Sequence, residues 1–176
     1  MTAPETKAEN LEAAWSWLPP SSDPGSVQQV VVRLGEGEYE HPERVRVTVE
    51  GGIEGDRWRH GAADPDAAVS LMCWSTATLI AHEAGAHWSG VGDNLLVDFD
   101  LSVEHLPVGT RLRVGDVLLE VSPKPHLGCA KFQARFGKGA LAWVNDKETR
   151  DRRLRGVHTK VLEGGTIRRG DAIEVV

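Results

Sequence analysis

The chain has 176 residues, enough for one domain with its own core and short for two. Hydrophobic residues make up 40% and charged residues 26%, a globular balance that needs no disulfide support. A net charge of −6 argues against nucleic acid or an anionic membrane as a partner. The two cysteines, Cys73 and Cys129, have none of the spacings of a zinc site. A disulfide framework is therefore not expected, and a reducing compartment is. No run reaches the roughly 18 apolar residues that span a bilayer. Met1-Thr2-Ala3-Pro4-Glu5 lacks a charged-then-apolar signal pattern, so the expected location is cytoplasmic.

In chain order, Leu11, Ala14, Trp15 and Leu18 fall at i, i+3, i+4 and i+7 and predict a short amphipathic helix. Pro19-Pro20 ends it, and the stretch to Ser26 reads as a linker. The helix reads as a tail that docks on the main domain or a partner; a lid is the other reading. The expected organisation is a tail helix and linker over 1–26 and one domain over 27–176.

From Val27 the pattern turns to short strands. Val30 to Leu34 is an apolar run, and Val45, Val47 and Val49 alternate with polar residues. Ala68 to Met72 reads as a buried strand. Ser75 is a candidate cap for a helix carrying Ala77, Ile80, Ala81 and Ala84, with Gly85 as its stop. Leu95 to Phe99 is a further strand. Arg111 to Val121 alternates on both sides of Gly115-Asp116, the signature of a hairpin with a tight primed turn. Val157, Thr159 and Val161 alternate, then Gly164-Gly165 and Gly170-Asp171 punctuate the chain before Ile173 and Val175. Many short strands with glycine turns and few helices predict a mainly β fold, a barrel or sandwich.

Four segments are candidates for chemistry. Gly51-Gly52-Ile53-Glu54-Gly55-Asp56-Arg57 permits positive φ and close backbone approach to a ligand. Arg57 is suited to an oxyanion and Asp56 to fixing the loop. The alternative is a plain turn, which also applies to Gly92-Asp93-Asn94. In the third, Pro123 to Gly137, the prolines end a strand and a short helix runs from about Cys129 to Phe136, with Gly137 as its stop. Phe132 and Phe136 face the core, and Lys131 and Arg135 share an adjacent face. Cys129 at the first turn meets unpaired N–H groups that favour thiolate, with Lys131, Arg135 and His126 adding positive charge. The competing reading is a buried, inert cysteine, the expected state of Cys73. The last segment, Arg150, Arg152, Arg153 and Arg155, suits either phosphate or a solvated face.

Taken together, these segments resemble the MOSC family, named after the C-terminal domain of molybdenum-cofactor sulfurases. The resemblance runs from about Val30 to Val175. Gly52 to Arg57 looks like the family's glycine-rich loop, Gly92-Asp93-Asn94-Leu95 like its G-E-N-L segment, and Leu106 to Asp116 like its hairpin. Cys129 aligns with its cysteine, and Gly156 to Asp171 looks like its closing strands. Trp58 stands where many members have His, and Asp93 where they have Glu. Neither the separate N-terminal β-barrel of the amidoxime-reducing members nor the aminotransferase-like domain of the sulfurases is recognised in these residues, so the resemblance implies a stand-alone bacterial type as the expectation.

The resemblance implies a closed or partly open β-barrel, similar to that of pyruvate kinase, with a few short helices. It implies molybdenum cofactor (molybdopterin) on Cys129, which is both the catalytic residue and the metal ligand. Gly55, Asp56, Arg57, Asn94, Lys124, His126, Lys131, Arg135 and Arg155 would contribute to holding the cofactor. Pyridoxal phosphate has no convincing site. Three functions follow: reduction of N-hydroxylated compounds with electrons from a donor protein, sulfur carriage as a Cys129 persulfide loaded by a cysteine desulfurase, and a binding module without chemistry.

Overall fold

The computed structural model describes residues 4–61 and 63–176. Alternating apolar residues fold into strands β1 (Gly25–Val30), β2 (Val32–Arg33), β3 (Tyr39–Glu40), β4 (Arg44–Thr48), β5 (Gly52–Ile53), β6 (Val69–Cys73), β7 (Leu95–Asp98), β8 (Arg111–Val114), β9 (Val117–Val121), β10 (Val157–Glu163), β11 (Gly165–Arg168) and β12 (Ala172–Val175). Three helices accompany them: α1 (Ala8–Trp15), α2 (Trp74–Ala84) and α3 (Ala130–Val144). Seven strands close a barrel in the order β1-β12-β8-β9-β10-β6-β7, and β7 pairs back to β1. The mainly β, closed-barrel expectation is met.

The barrel pairs are antiparallel except β6 with β7. A parallel pair needs a crossover, and α2 lies in that crossover. These two strands are covered on both faces. Leu71, Leu95 and Val97 point into the barrel core, while Met72 and Leu96 join a second core with α1, α2 and α3. Burial on both faces is why β6 and β7 read as unbroken apolar runs.

The Gly115-Asp116 turn is as expected. Val114 faces Val117, and Gly115 alone has positive φ, the pattern of a II′ hairpin. Other boundaries shift. The Val30–Leu34 run divides between β1 and β2. Ser75 does not cap α2; the strand runs directly into the helix, so Cys73 occupies the N-cap position, without a side-chain capping hydrogen bond. Gly164 links β10 directly to β11, which Gly165 opens, and β11 pairs with β4 outside the barrel.

Gly137 breaks α3 as its sequence suggests, with φ 87° and ψ 168°, yet a helix resumes after it and runs to Val144. The break leaves a carbonyl and an amide without ladder partners. Thr6 supplies both: its Oγ1 donates to the Phe136 carbonyl (2.7 Å) and accepts from Ala140 N–H (2.9 Å). Leu11 is buried in the helical core, and Glu12 accepts from Trp143 Nε1 (2.8 Å) and Arg152 (2.7 Å). The N-terminal segment thus docks on the α3 side of the domain.

Thr6→Val keeps the shape but strands two buried polar groups. Urea unfolding is expected to show a loss of about 1–3 kcal/mol.

Candidate functional site

Two buried polar clusters meet where the chain enters β7. Gly92 turns with φ 82° and delivers Asp93 and Asn94, both buried, to the same end of the barrel. Asn94 faces one cluster. Its Nδ2 donates to Asp56 (2.9 Å), and its Oδ1 accepts from Ser70 N–H (3.2 Å). Asp56 also accepts from the Arg33 guanidinium (2.8 and 2.9 Å), Arg33 N–H (2.9 Å) and Trp58 N–H (2.9 Å). Burial alone would push the Asp56 pKa up; the hydrogen bonds and charge of Arg33 outweigh it and hold the carboxyl below its ordinary value.

Asp93 faces the other cluster. It forms a very short ion pair with Arg155, and its Oδ1 lies 2.5 Å from His126 Nε2. Arg155 Nη2 donates to the Val91 carbonyl (2.8 Å), and its guanidinium lies 5.2 Å from the Phe132 ring centroid. Burial opposes ionisation of Asp93, but the positive charge of Arg155 overrides it and keeps the carboxyl well below the usual range. His126 is pushed down by burial and then by Arg155, with Asp93 opposing. We assign it as neutral, with Nε2–H donating to Asp93. The 3.0 Å approach of Arg155 Nη1 to that nitrogen is then proximity rather than a hydrogen bond. His158 stacks on His126 with centroids 4.0 Å apart. Burial first, and His126 second, lower its pKa to about 3.

Cys129 is exposed and occupies the N-cap of α3. Its side chain makes no capping hydrogen bond. Partial burial would raise the thiol pKa, but the Phe132 and Lys131 amides and the charges of Arg155 and Arg135 bring it below the ordinary value. The buried reading of Cys129 therefore fails on exposure. Cys73 is half-buried, with Ser75 Oγ 3.2 Å away, rather than sealed in the core.

The other sequence candidates divide. Arg57 donates to the Gly35 carbonyl (3.0 Å), and Lys131 pairs with Glu36 (3.2 Å), so both reach the same short loop. Arg135 donates to the Gly90 carbonyl (2.9 Å) beside Tyr39. Lys124 is tied to Asp64 (2.6 Å) at the surface. The Asp56 and Asn94 side chains are engaged internally, in the cluster that builds the loop, and Gly55 serves that loop through its positive φ of 85°. Of the arginine run, Arg150 and Arg152 are exposed, as a solvated face would be, while Arg155 is buried and its guanidinium is engaged internally by Asp93 and the Val91 carbonyl. Sequence reasoning missed Asp93, Arg33 and His158. Asp93 stood beside Asn94 in plain view as a turn residue. Its signal would have been the demand for an acidic partner once Arg155 was buried. Among the described residues, no group of three or more His, Cys, Asp or Glu is arranged to hold a metal ion, and no helix is long and apolar enough to cross a membrane.

Asp93→Asn leaves Arg155 buried without its counter-charge. Urea unfolding at neutral pH is expected to show a loss of about 3–5 kcal/mol. His158, at about 3 when folded against 6.5 for a free imidazole, takes up its proton more readily in the unfolded chain. Stability should therefore fall as pH drops from about 6.5 toward 3, with Asp93 adding to the loss below about pH 4. His158→Phe should flatten the upper part of that fall in a urea-midpoint series against pH.

Comparison with known proteins agrees with this architecture. The family model of the MOSC domain matches residues 56–174. No curated protein matches the sequence. Among solved structures, a hypothetical protein aligns with TM-score 0.61 and 21% identity over 87% of this chain and 66% of its own, just under two thirds of its length. The YuaD protein of Bacillus subtilis aligns with TM-score 0.60 and 19% identity over 86% of this chain and 94% of its own. YiiM of Escherichia coli aligns with TM-score 0.58 and 21% identity over 86% and 69%. At these identities the structures speak to the fold alone. The sequence match, which spans more than half of the chain, shows that the protein belongs to the MOSC domain family.

Proposed function

We propose that this MOSC domain holds an anionic cofactor of the molybdopterin type at the Cys129 end of α3 and uses it to reduce N-hydroxylated compounds, drawing electrons from a partner protein. The reading rests on one observation: an exposed Cys129 at a helix N-cap whose surroundings favour thiolate.

The residues present fit such a group. Thiolate is a soft ligand suited to such a metal centre. Arg57 and Arg135 each donate to a backbone carbonyl and pair with no carboxylate among the described residues. A guanidinium has five donors, so both retain capacity for a phosphate. Lys131 is held only by an exposed pair with Glu36. Such pairs contribute little, so it can turn to an anion at small cost. When bound, the group would supply a redox-active metal centre. The chain's own part is to present the Cys129 sulfur, to compensate the phosphate charge through Arg57, Lys131 and Arg135, and to keep Arg155 fixed behind the thiol.

A second reading has support of its own. Cys129 is open to solvent and does not line the cavity formed by the adjoining His126 and Leu127. An open thiolate is accessible to a protein donor, which suits a persulfide carrier loaded by a cysteine desulfurase.

Elemental analysis of protein purified from a cofactor-competent host separates these readings. The cofactor reading expects molybdenum approaching one per chain, lost in Cys129→Ser. The carrier reading expects no molybdenum and, by non-reducing mass spectrometry after treatment with desulfurase and cysteine, one added sulfur on Cys129. Neither signal would leave a binding module.

A further inference from the structure

A cavity of about 260 Å³ lies between the 122–128 loop, the end of α3 and the segment leading into β10. Cys129 is not among its lining residues, and neither are Arg57, Lys131 and Arg135. Val103, Val108 and Leu127 line it while remaining 37%, 56% and 47% exposed. They are three of the eight large hydrophobic side chains left exposed among the described residues, gathered at one concave place. Such a gathering marks a binding surface, whereas scattered exposed apolar residues need no explanation.

The polar wall is the stacked pair His126 and His158. His158 Nδ1 is buried without a hydrogen-bond partner among the described residues. That nitrogen is sealed from water, so an incoming group meets the part of the His158 ring that lines the cavity. The imidazole is uncharged at neutral pH, so it offers a single donor or acceptor rather than a charge.

The charges around the cavity are largely matched already. Arg155 is paired with Asp93 and Lys124 with Asp64, while Arg153 Nη1 donates to the carbonyls of Leu101 and Leu106. Arg150 shares the wall with Asp146 and Asp151. No net charge is left to select an ion. The volume lies just under the range of about 300–1,000 Å³ for drug-sized sites, so the guest is a fragment.

The geometry points to a binding site, separate from the thiol, for a small uncharged heteroaromatic molecule of one or two fused rings, packed between Val108 and Leu127 and hydrogen-bonded to the His158 imidazole where it lines the cavity. Because Cys129 lines no part of the cavity, this assignment stands whether or not the cofactor reading holds.

Titration of the ¹⁵N-labelled protein with benzimidazole, benzoate and benzylamine, followed by NMR, tests it. Thiols are alkylated beforehand, so that failure of the Cys129 chemistry cannot affect the result. Benzimidazole is expected to shift the His158 ring nitrogens and the Leu127 and Val108 signals. The two charged rings should bind at least tenfold more weakly. His158→Phe keeps a ring but removes the nitrogen and should weaken benzimidazole about tenfold. Val108→Asp, at an exposed position that folding tolerates, should do the same through the apolar wall. No shift at millimolar benzimidazole, equal binding of the charged rings, or wild-type affinity in Val108→Asp would overturn the assignment.

Discussion

A carboxylate with no exposure to water, Asp93, meets a guanidinium that is almost as deeply buried, Arg155, and the rest of the site is arranged around that meeting. Taking two such charges out of water costs several kcal/mol each, and their attraction repays it only with good geometry and further hydrogen bonds. Here the further bonds link four parts of the chain. Asp93 precedes β7, Arg155 precedes β10, His126 belongs to the loop after β9, and Phe132 lies under the guanidinium in α3. A well-packed apolar cluster would hold these elements together at least as well. What an ion pair adds is a fixed positive charge at a chosen depth.

That charge reaches the surface at Cys129. The thiol stands at the open end of α3, where the amides of Phe132 and Lys131 act together with Arg155 and Arg135. Only the first seven residues of α3 precede the break at Gly137, and the Thr6 side chain holds the two halves in register. The N-terminal segment thus contributes to the setting of the thiol without touching it. Arg57, Lys131 and Arg135 are cations held only by backbone carbonyls or by an exposed pair, which is why the proposed anionic guest is assigned to them.

Much of this was visible in the residues themselves. Period-two alternation marked β4, β8, β9, β10 and β12, because each presents one face to the barrel core. Gly137 was legible as a helix stop, and the cation Arg135 following Cys129 as one cause of its lowered thiol pKa. Local patterns report which face is buried but not which distant side chain completes a charge. The Arg33–Asp56 pair spans 23 residues and the Asp93–Arg155 pair 62, and neither leaves a periodic trace. Arg155 looked like its three neighbouring arginines until the fold buried it. β11 was hidden because glycines that usually make turns here allow close backbone approach, with Gly164 packed against the Val47 carbonyl.

The sharpest check is the midpoint of thiolate formation at Cys129, read by ultraviolet absorbance in a Cys73→Ser background. The expected midpoint lies below that of an ordinary thiol, about 8.5, and moves up when Arg135→Gln removes one of the contributing charges. A midpoint at or above the ordinary value, unmoved by that substitution, would mean that neither the helix end nor the buried arginine governs the sulfur.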